Sequence, residues 1–141
     1  MKFFLPISFL LLLLLSSCGT GALYGPAFYN ETKLGDGLQR VTFKGGIHPA
    51  TGDLCLLRCA EVTRSNGFSY FEVVDSESGS SLRINRTTYP FHRYYYMEEP
   101  FMKEIAFVTK TIRMLEEKPV DSFAYSATEV ERSFKKKYKI Q

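Results

Sequence analysis

The sequence predicts an α+β fold: a two-layer sandwich in which a small mixed sheet of three or four strands carries two helices on one face. Three observations predict it. Leu38 to Lys44 alternates apolar and polar residues, the period of a half-buried strand. Thr51 to Asn66 and the segment after Ser126 carry apolar residues at helical spacing behind polar starts. Phe68 to Val74 then runs almost wholly apolar directly after the first helix, as a strand covered on both faces would.

In chain order, Thr20 to Gly37 is broken repeatedly by Gly25-Pro26 and Gly35-Asp36-Gly37. Such punctuation predicts an irregular linker, with Tyr24, Phe28 and Tyr29 docking on the domain or on a membrane surface. In the Leu38–Lys44 strand, Val41 and Phe43 face one way and Arg40, Thr42 and Lys44 the other, and Gly45-Gly46 ends it. The first helix takes Thr51 as N-cap, Asp53 in the first turn and Asn66-Gly67 as the stop. Its inner face combines Leu56, Cys59, Ala60 and Thr63 with Cys55 and Val62. Strand, helix, strand in this order predicts a right-handed parallel crossover.

Asp75 to Ser81 reads as a polar loop, Leu82 to Thr88 as a further strand, and Glu104 to Met114 as another. In that last strand Ala106, Val108 and Ile112 lie on one side, Phe107 and Thr109 on the other. Lys118-Pro119 opens a loop, and Ser126-Ala127-Thr128-Glu129 is a capping-box pattern opening the last helix. Ala127, Val130, Phe134 and Tyr138 form its narrow apolar stripe. Lys135, Lys136, Lys137 and Lys139 load its C-terminal end, where positive charge suits the helix dipole. The lysine run is either a solvated helix end or a contact for anionic headgroups or polymers.

The N-terminus has a different character. Met1-Lys2 is followed by an apolar run of about 13 residues, Phe3 to Leu15, ending in six leucines. That run is short of the roughly 18–20 residues that span a bilayer, so it reads as a cleaved secretory signal. Leu15-Ser16-Ser17-Cys18 resembles the bacterial lipobox, in which a cysteine thiol receives the lipid and the chain is cut just before it. The expectation is therefore a signal peptide over 1–17, a lipidated tether over 18–37 and one α+β domain over 38–141. Cys18 is the predicted lipidation site, palmitate being among the expected acyl groups, and the membrane is the first predicted partner. Gly19, where an inner-membrane retention signal would place Asp, points to the periplasmic face of the outer membrane.

Composition sets further bounds. About 124 residues remain after the signal, enough for one hydrophobic core. The formal charge is +3, or +2 without Lys2, too small to imply nucleic acid. An apolar content of 45% excludes a disordered chain.

No catalytic constellation is legible. A zinc site from Cys55, Cys59, His48 and His92 lacks ligand spacing. No Gly-x-Ser-x-Gly elbow accompanies His48, His92 or Asp75. No metal, cofactor or catalytic residue is therefore assigned. Cys55 and Cys59 lie about 40° apart on one helix face, a poor disulfide geometry, and read as small buried thiols. Arg58 is expected to pair with Glu61 or with Asp75. The best contact surface is the aromatic and basic set Arg86, Tyr89, Phe91, Arg93, Tyr94 and Tyr95, because Tyr and Arg are enriched at binding hot spots. The competing reading buries those aromatics under a loop.

Several runs together resemble a family of small proteobacterial lipoproteins first catalogued from Caulobacter genomes. They are Arg40-Val41-Thr42-Phe43-Lys44-Gly45, Asp53 through Thr63, Asn66-Gly67-Phe68, Phe71-Glu72-Val73-Val74-Asp75 and Ala127-Thr128-Glu129-Val130. The resemblance covers most of the mature chain and implies an envelope lipoprotein without an assigned biochemical activity. It associates the positions of Cys55 and Cys59 with small residues such as alanine, which argues against a metal or redox role. Tyr89 to Tyr96 departs from the family pattern.

The function expected is a non-enzymatic, membrane-anchored envelope lipoprotein, an accessory or binding module for an envelope protein or glycan. A small envelope hydrolase or thiol-dependent sensor is the alternative.

Overall fold

The computed structural model describes residues 23–84 and 102–141. Its order is β1 (Tyr29–Gly35), β2 (Leu38–Lys44), α1 (Ala50–Ser65), β3 (Tyr70–Ile84), β4 (Met102–Leu115), β5 (Tyr125–Ser126) and α2 (Ala127–Tyr138). The fold is α+β, one sheet carrying both helices on one face. The sheet has five strands in the order β1-β2-β4-β3-β5, and every neighbouring pair is antiparallel.

Alternation builds the layer. Val41 and Phe43 of β2, Val108, Ile112 and Met114 of β4 and Phe71 of β3 point to the helical side and are buried. They meet Leu54, Cys55, Leu57, Cys59, Ala60 and Val62 of α1. Val130, Phe134 and Tyr138 of α2 pack on the same cluster from outside, and Ala127 is buried within it. Arg40, Thr42, Thr109 and Thr111 lie on the opposite face, where the Thr42 and Thr109 hydroxyls bond across the strands at 3.0 Å.

The α1 stop works as the sequence predicts. Gly67 takes φ +86°, Gly67 N–H donates to Arg64 and Phe68 N–H to Thr63, so two end carbonyls are satisfied. Its start differs. The helix begins at Ala50 behind Pro49, and Thr51 is a buried helical residue rather than the cap. Its hydroxyl donates 3.0 Å to the Gly45 carbonyl, tying the helix to the end of β2. A non-local acceptor took the side chain that local rules assign to capping. At α2 the helix starts after Ser126 as expected, but without a side-chain cap bond; Ala127 N–H donates instead to Ser69.

Three other expectations are corrected. The sheet is not mixed and the β2-α1-β3 crossover does not join neighbours. Both strands run antiparallel to β4, hence parallel to each other, and β4 is inserted between them. The β3–β4 ladder is the longest in the molecule, and its local antiparallel pairing claims the central place. Asp75 to Ser81 is not a loop. It continues β3 against Thr111 to Ile105 of β4, after a register shift between Val73 and Asp75. Its composition disfavours a strand, but the partner supplies the ladder and solvent accepts the polar side chains. Here Gly79 lets the Phe107 ring lie against its backbone, since a Cβ there would stand 2.9 Å from the ring. Finally, the described part of the expected irregular linker includes a strand: Tyr29–Gly35 pairs with β2 through a tight Asp36-Gly37 turn, Gly37 at φ +70°.

Candidate functional site

The pairing of β2 with β4 stops at Lys44 opposite Phe107. Gly45 N–H still donates to the Ala106 carbonyl, and beyond it β3 and β4 continue alone, Ser81 opposite Ile105 through Ile84 opposite Met102. Four residue pairs at about 3.4 Å each make a two-stranded arm of roughly 14 Å. It is exposed, with Leu82 at 66%. An isolated two-stranded ribbon is marginal in water, and the ends of this one are joined by a further segment. That segment, 85–101, contains the predicted contact residues Arg86, Tyr89, Phe91, Arg93, Tyr94 and Tyr95. They and Cys18 lie outside the described residues, as does His92.

A second constellation, not foreseen from sequence, seams β1 to both helices. Arg58 of α1 lies 4.1 Å above the Tyr29 ring and is hydrogen-bonded to Glu31 of β1 and, at 2.8 Å, to Glu61. Glu61 was one of its two expected partners; the other group it holds is Glu31, not Asp75. Tyr24 donates 2.6 Å to the same Glu61 oxygen while its ring stacks on Phe43. Lys135 of α2 stands 3.5 Å from Glu61 and 3.1 Å from Glu131, and Arg64 also bonds Glu131. At the other end of the helix pair, Lys137 and Tyr138 both donate to Asp53, at 2.7 and 2.6 Å.

The electrostatics of the seam are those of a fastening. Burial, then the Glu61 hydrogen bond, pushes the Tyr24 hydroxyl above its ordinary range, so it stays protonated and donates. Burial works against charge on Arg58, but Glu61 and Glu31 outweigh it and hold the guanidinium more firmly protonated. At Glu131 burial is likewise outweighed by Arg64 and Lys135, which lower its pKa. Each acid of the seam, Glu31, Glu61, Glu131 and Asp53, is engaged by a donor. One signal for the β1 part was present: Asp36-Gly37 is a two-residue hairpin turn signal directly before the alternating run Leu38–Lys44.

The chain matches no family model, no curated protein and no solved structure.

The cysteines sit under α1, both with 0% exposure and both reduced. The Cys55 thiol lies 3.4 Å from the Val108 carbonyl and 3.6 Å from that of Val41, and burial pushes the Cys59 thiol well up. His48 is on the exposed loop before α1 and Asp75 is exposed on β3, so the residues considered for zinc or nucleophilic chemistry are spread over separate elements. Among the described residues no group of three or more His, Cys, Asp or Glu is placed to hold a metal ion. The hydrogen bond from Cys59 lowers the pKa of the Cys55 thiol, but both thiols are fully buried and out of reach of a reagent. In the folded protein a maleimide should leave Cys55 and Cys59 unmodified while labelling both in urea, as read by intact mass. Rapid labelling without denaturant would revive a thiol mechanism.

Proposed function

We propose that this protein is a non-enzymatic, lipid-anchored cell-envelope module that holds an aromatic, arginine-bearing segment at the end of a two-stranded arm for a partner in the envelope. The observation that carries the anchor is the run Met1 to Cys18: one cation, a short apolar core, two serines and a cysteine. Acyl chains contribute additively, about 0.8 kcal/mol per buried CH₂, so several on Cys18 hold a protein stably where one does not. Gly19 after the cysteine favours the outer membrane.

The arm supports the binding-module part. Its exposed ribbon has no core of its own, and the segment it carries combines tyrosines with arginines, the residue types that anchor interfaces. The resemblance to small envelope lipoproteins favours the same reading. An envelope protein or a glycan fits that chemistry. Among the described residues no helix is long and apolar enough to cross a membrane.

The test compares wild type with Cys18→Ala in intact, crosslinked cells. Wild type should remain with membranes, yield an N-terminal peptide beginning at an acylated Cys18, and give a recurrent crosslinked partner. Cys18→Ala should lose the acyl mass. An N-terminus cut elsewhere without lipid would overturn the anchor. Substitution of Tyr94 and Tyr95 by Ala that leaves the crosslinked partner in place would overturn the contact segment.

A further inference from the structure

Charge is sorted along the sheet axis, whereas exposed apolar residues stand at both ends, Ile47 at one and Val120 and Phe123 at the other. One end is where β2 finishes. Lys44 is its last residue, and the loop that follows carries Ile47 at 83% exposure. Helix α1 starts from this loop, and α2 runs antiparallel to α1, since Lys137 and Tyr138 reach Asp53 in the first turn of α1. The exposed Lys136, Lys137 and Lys139 therefore join Lys44 at the same end, with Asp53 held by Lys137. The arm leaves from this end, adding Lys103 and Glu104, which offset each other. The other end holds the Asp36 turn, Glu116, Glu117 and Asp121 of the β4–β5 connection, and Glu129 in the first turn of α2. Lys33, Lys118 and Arg64 interrupt that acidic end.

The N-terminal segment is tied to the basic end. Phe28 closes a turn on Gly25, its carbonyl accepts from Lys44 N–H at 2.7 Å, and its ring lies against Gly45. Leu23, the first described residue, is 58% exposed. Only four residues lie between it and Cys18, and the five steps from one to the other span at most about 18 Å. The body is therefore held within that reach of any lipid on Cys18, and not on the twenty-residue leash that the sequence suggested.

We propose that the Lys44–Ile47–Lys136–Lys139 end of the protein docks on the anionic phospholipid surface to which the chain is tethered. This rests on the lipid-anchor reading and adds an orientation to it. Lysines within a Debye length of an anionic leaflet are attracted to it, while Ile47 is free to enter the headgroup region between them. The acidic end then faces away from the membrane. Docking would stand even with an unacylated chain, provided something else holds it to the vesicle.

The test uses the full chain with Cys18→Ala, held to vesicles by its own apolar N-terminal run, with an environment-sensitive fluorophore at Ile47→Cys or, separately, at Val120→Cys on the acidic end. Cys55 and Cys59 are buried and stay unlabelled. Brominated lipids should quench the Ile47 position in vesicles of phosphatidylcholine with phosphatidylglycerol, and several-fold less in phosphatidylcholine alone or at high salt. The Val120 position should stay unquenched in both. Lys44→Glu with Lys136→Glu should weaken the docked state by at least about fivefold per lysine. Equal quenching at both positions, or quenching at Ile47 untouched by the lysine reversals, would overturn the proposal. Acylation of Cys18 is read separately from the mass of the wild-type N-terminal peptide, so failure of the anchor and failure of the docking face give different results.

Discussion

Phe43→Ala is expected to destabilise the protein by about 3–5 kcal/mol, the cost of emptying a fully buried aromatic site. Phe43 has no exposed surface and sits where three layers meet. Below it is the sheet, above it α1, and at its side Tyr24 and Phe28, with ring centroids 5.9 and 6.2 Å away. Truncation opens a cavity and removes the platform on which the N-terminal segment lies. A single domain has only about 5–15 kcal/mol of stability in total, so a large share disappears. Urea unfolding should show a lower midpoint with an unchanged slope. Phe43→Leu keeps most of the apolar volume without the ring stack and should fall between the two. A loss for Phe43→Ala below about 1 kcal/mol, the level of a surface change, would mean that the N-terminal segment does not pack as described.

Arg58→Ala is expected to cost about 2–3 kcal/mol. Removing one member of a buried ion pair costs roughly 3–5 kcal/mol, because the partner is left charged and desolvated. Here the Arg58 side chain is 23% exposed, so water recovers part of that cost. Truncation would leave Glu31 without its cation, leave Glu61 with only Tyr24 and Lys135, and strip the cation from the Tyr29 face. Arg58→Lys keeps the charge but cannot reach both carboxylates with a planar fork, and should cost less than alanine while remaining measurable. The comparison is Arg113→Ala. Arg113 also bonds a glutamate, Glu72 at 2.6 Å, but is 58% exposed and should lose under about 1 kcal/mol. Equal losses at Arg58 and Arg113 would show that the seam is merely surface decoration.

Much of the helical layer was legible because the signals are local. Leu56, Cys59, Ala60 and Thr63 recur at helical spacing, though Leu56 is only partly buried and Leu54 and Leu57 join the inner face. Asn66-Gly67 carries its own stop geometry, and Ala127 to Tyr138 has its stripe written in four residues. Errors arose where a distant partner outweighed the local rule. Thr51 has the chemistry of a cap, yet the Gly45 carbonyl claims its hydroxyl. Ser76 to Ser81 has the composition of a loop, yet β4 pairs with it residue by residue. Tyr29 to Gly35 sits between glycine-containing breaks that suggest a linker, yet the turn at Asp36-Gly37 folds it onto β2.

The candidate site divides along the same line. The lipobox-like run before Cys18 and the aromatic, arginine-rich run from Arg86 to Tyr95 are contiguous patterns, legible as patterns without any fold. The arm that bears the second of them was not, because its polar residues gain their place only from cross-strand hydrogen bonds.

By itself the sequence determined which segments are helical and which faces of β2 and β4 turn inward. Each of these depends on periodicity or spacing within a few residues, and side-chain direction follows from backbone period alone. Tertiary structure alone decided that β4 lies between β2 and β3, that Glu31 meets Arg58, and that Lys44 and the lysines of α2 share one end. Those are pairings between residues far apart in the chain. Their free energy comes from whole ladders and packed layers, and no single residue carries enough of it to reveal the partner.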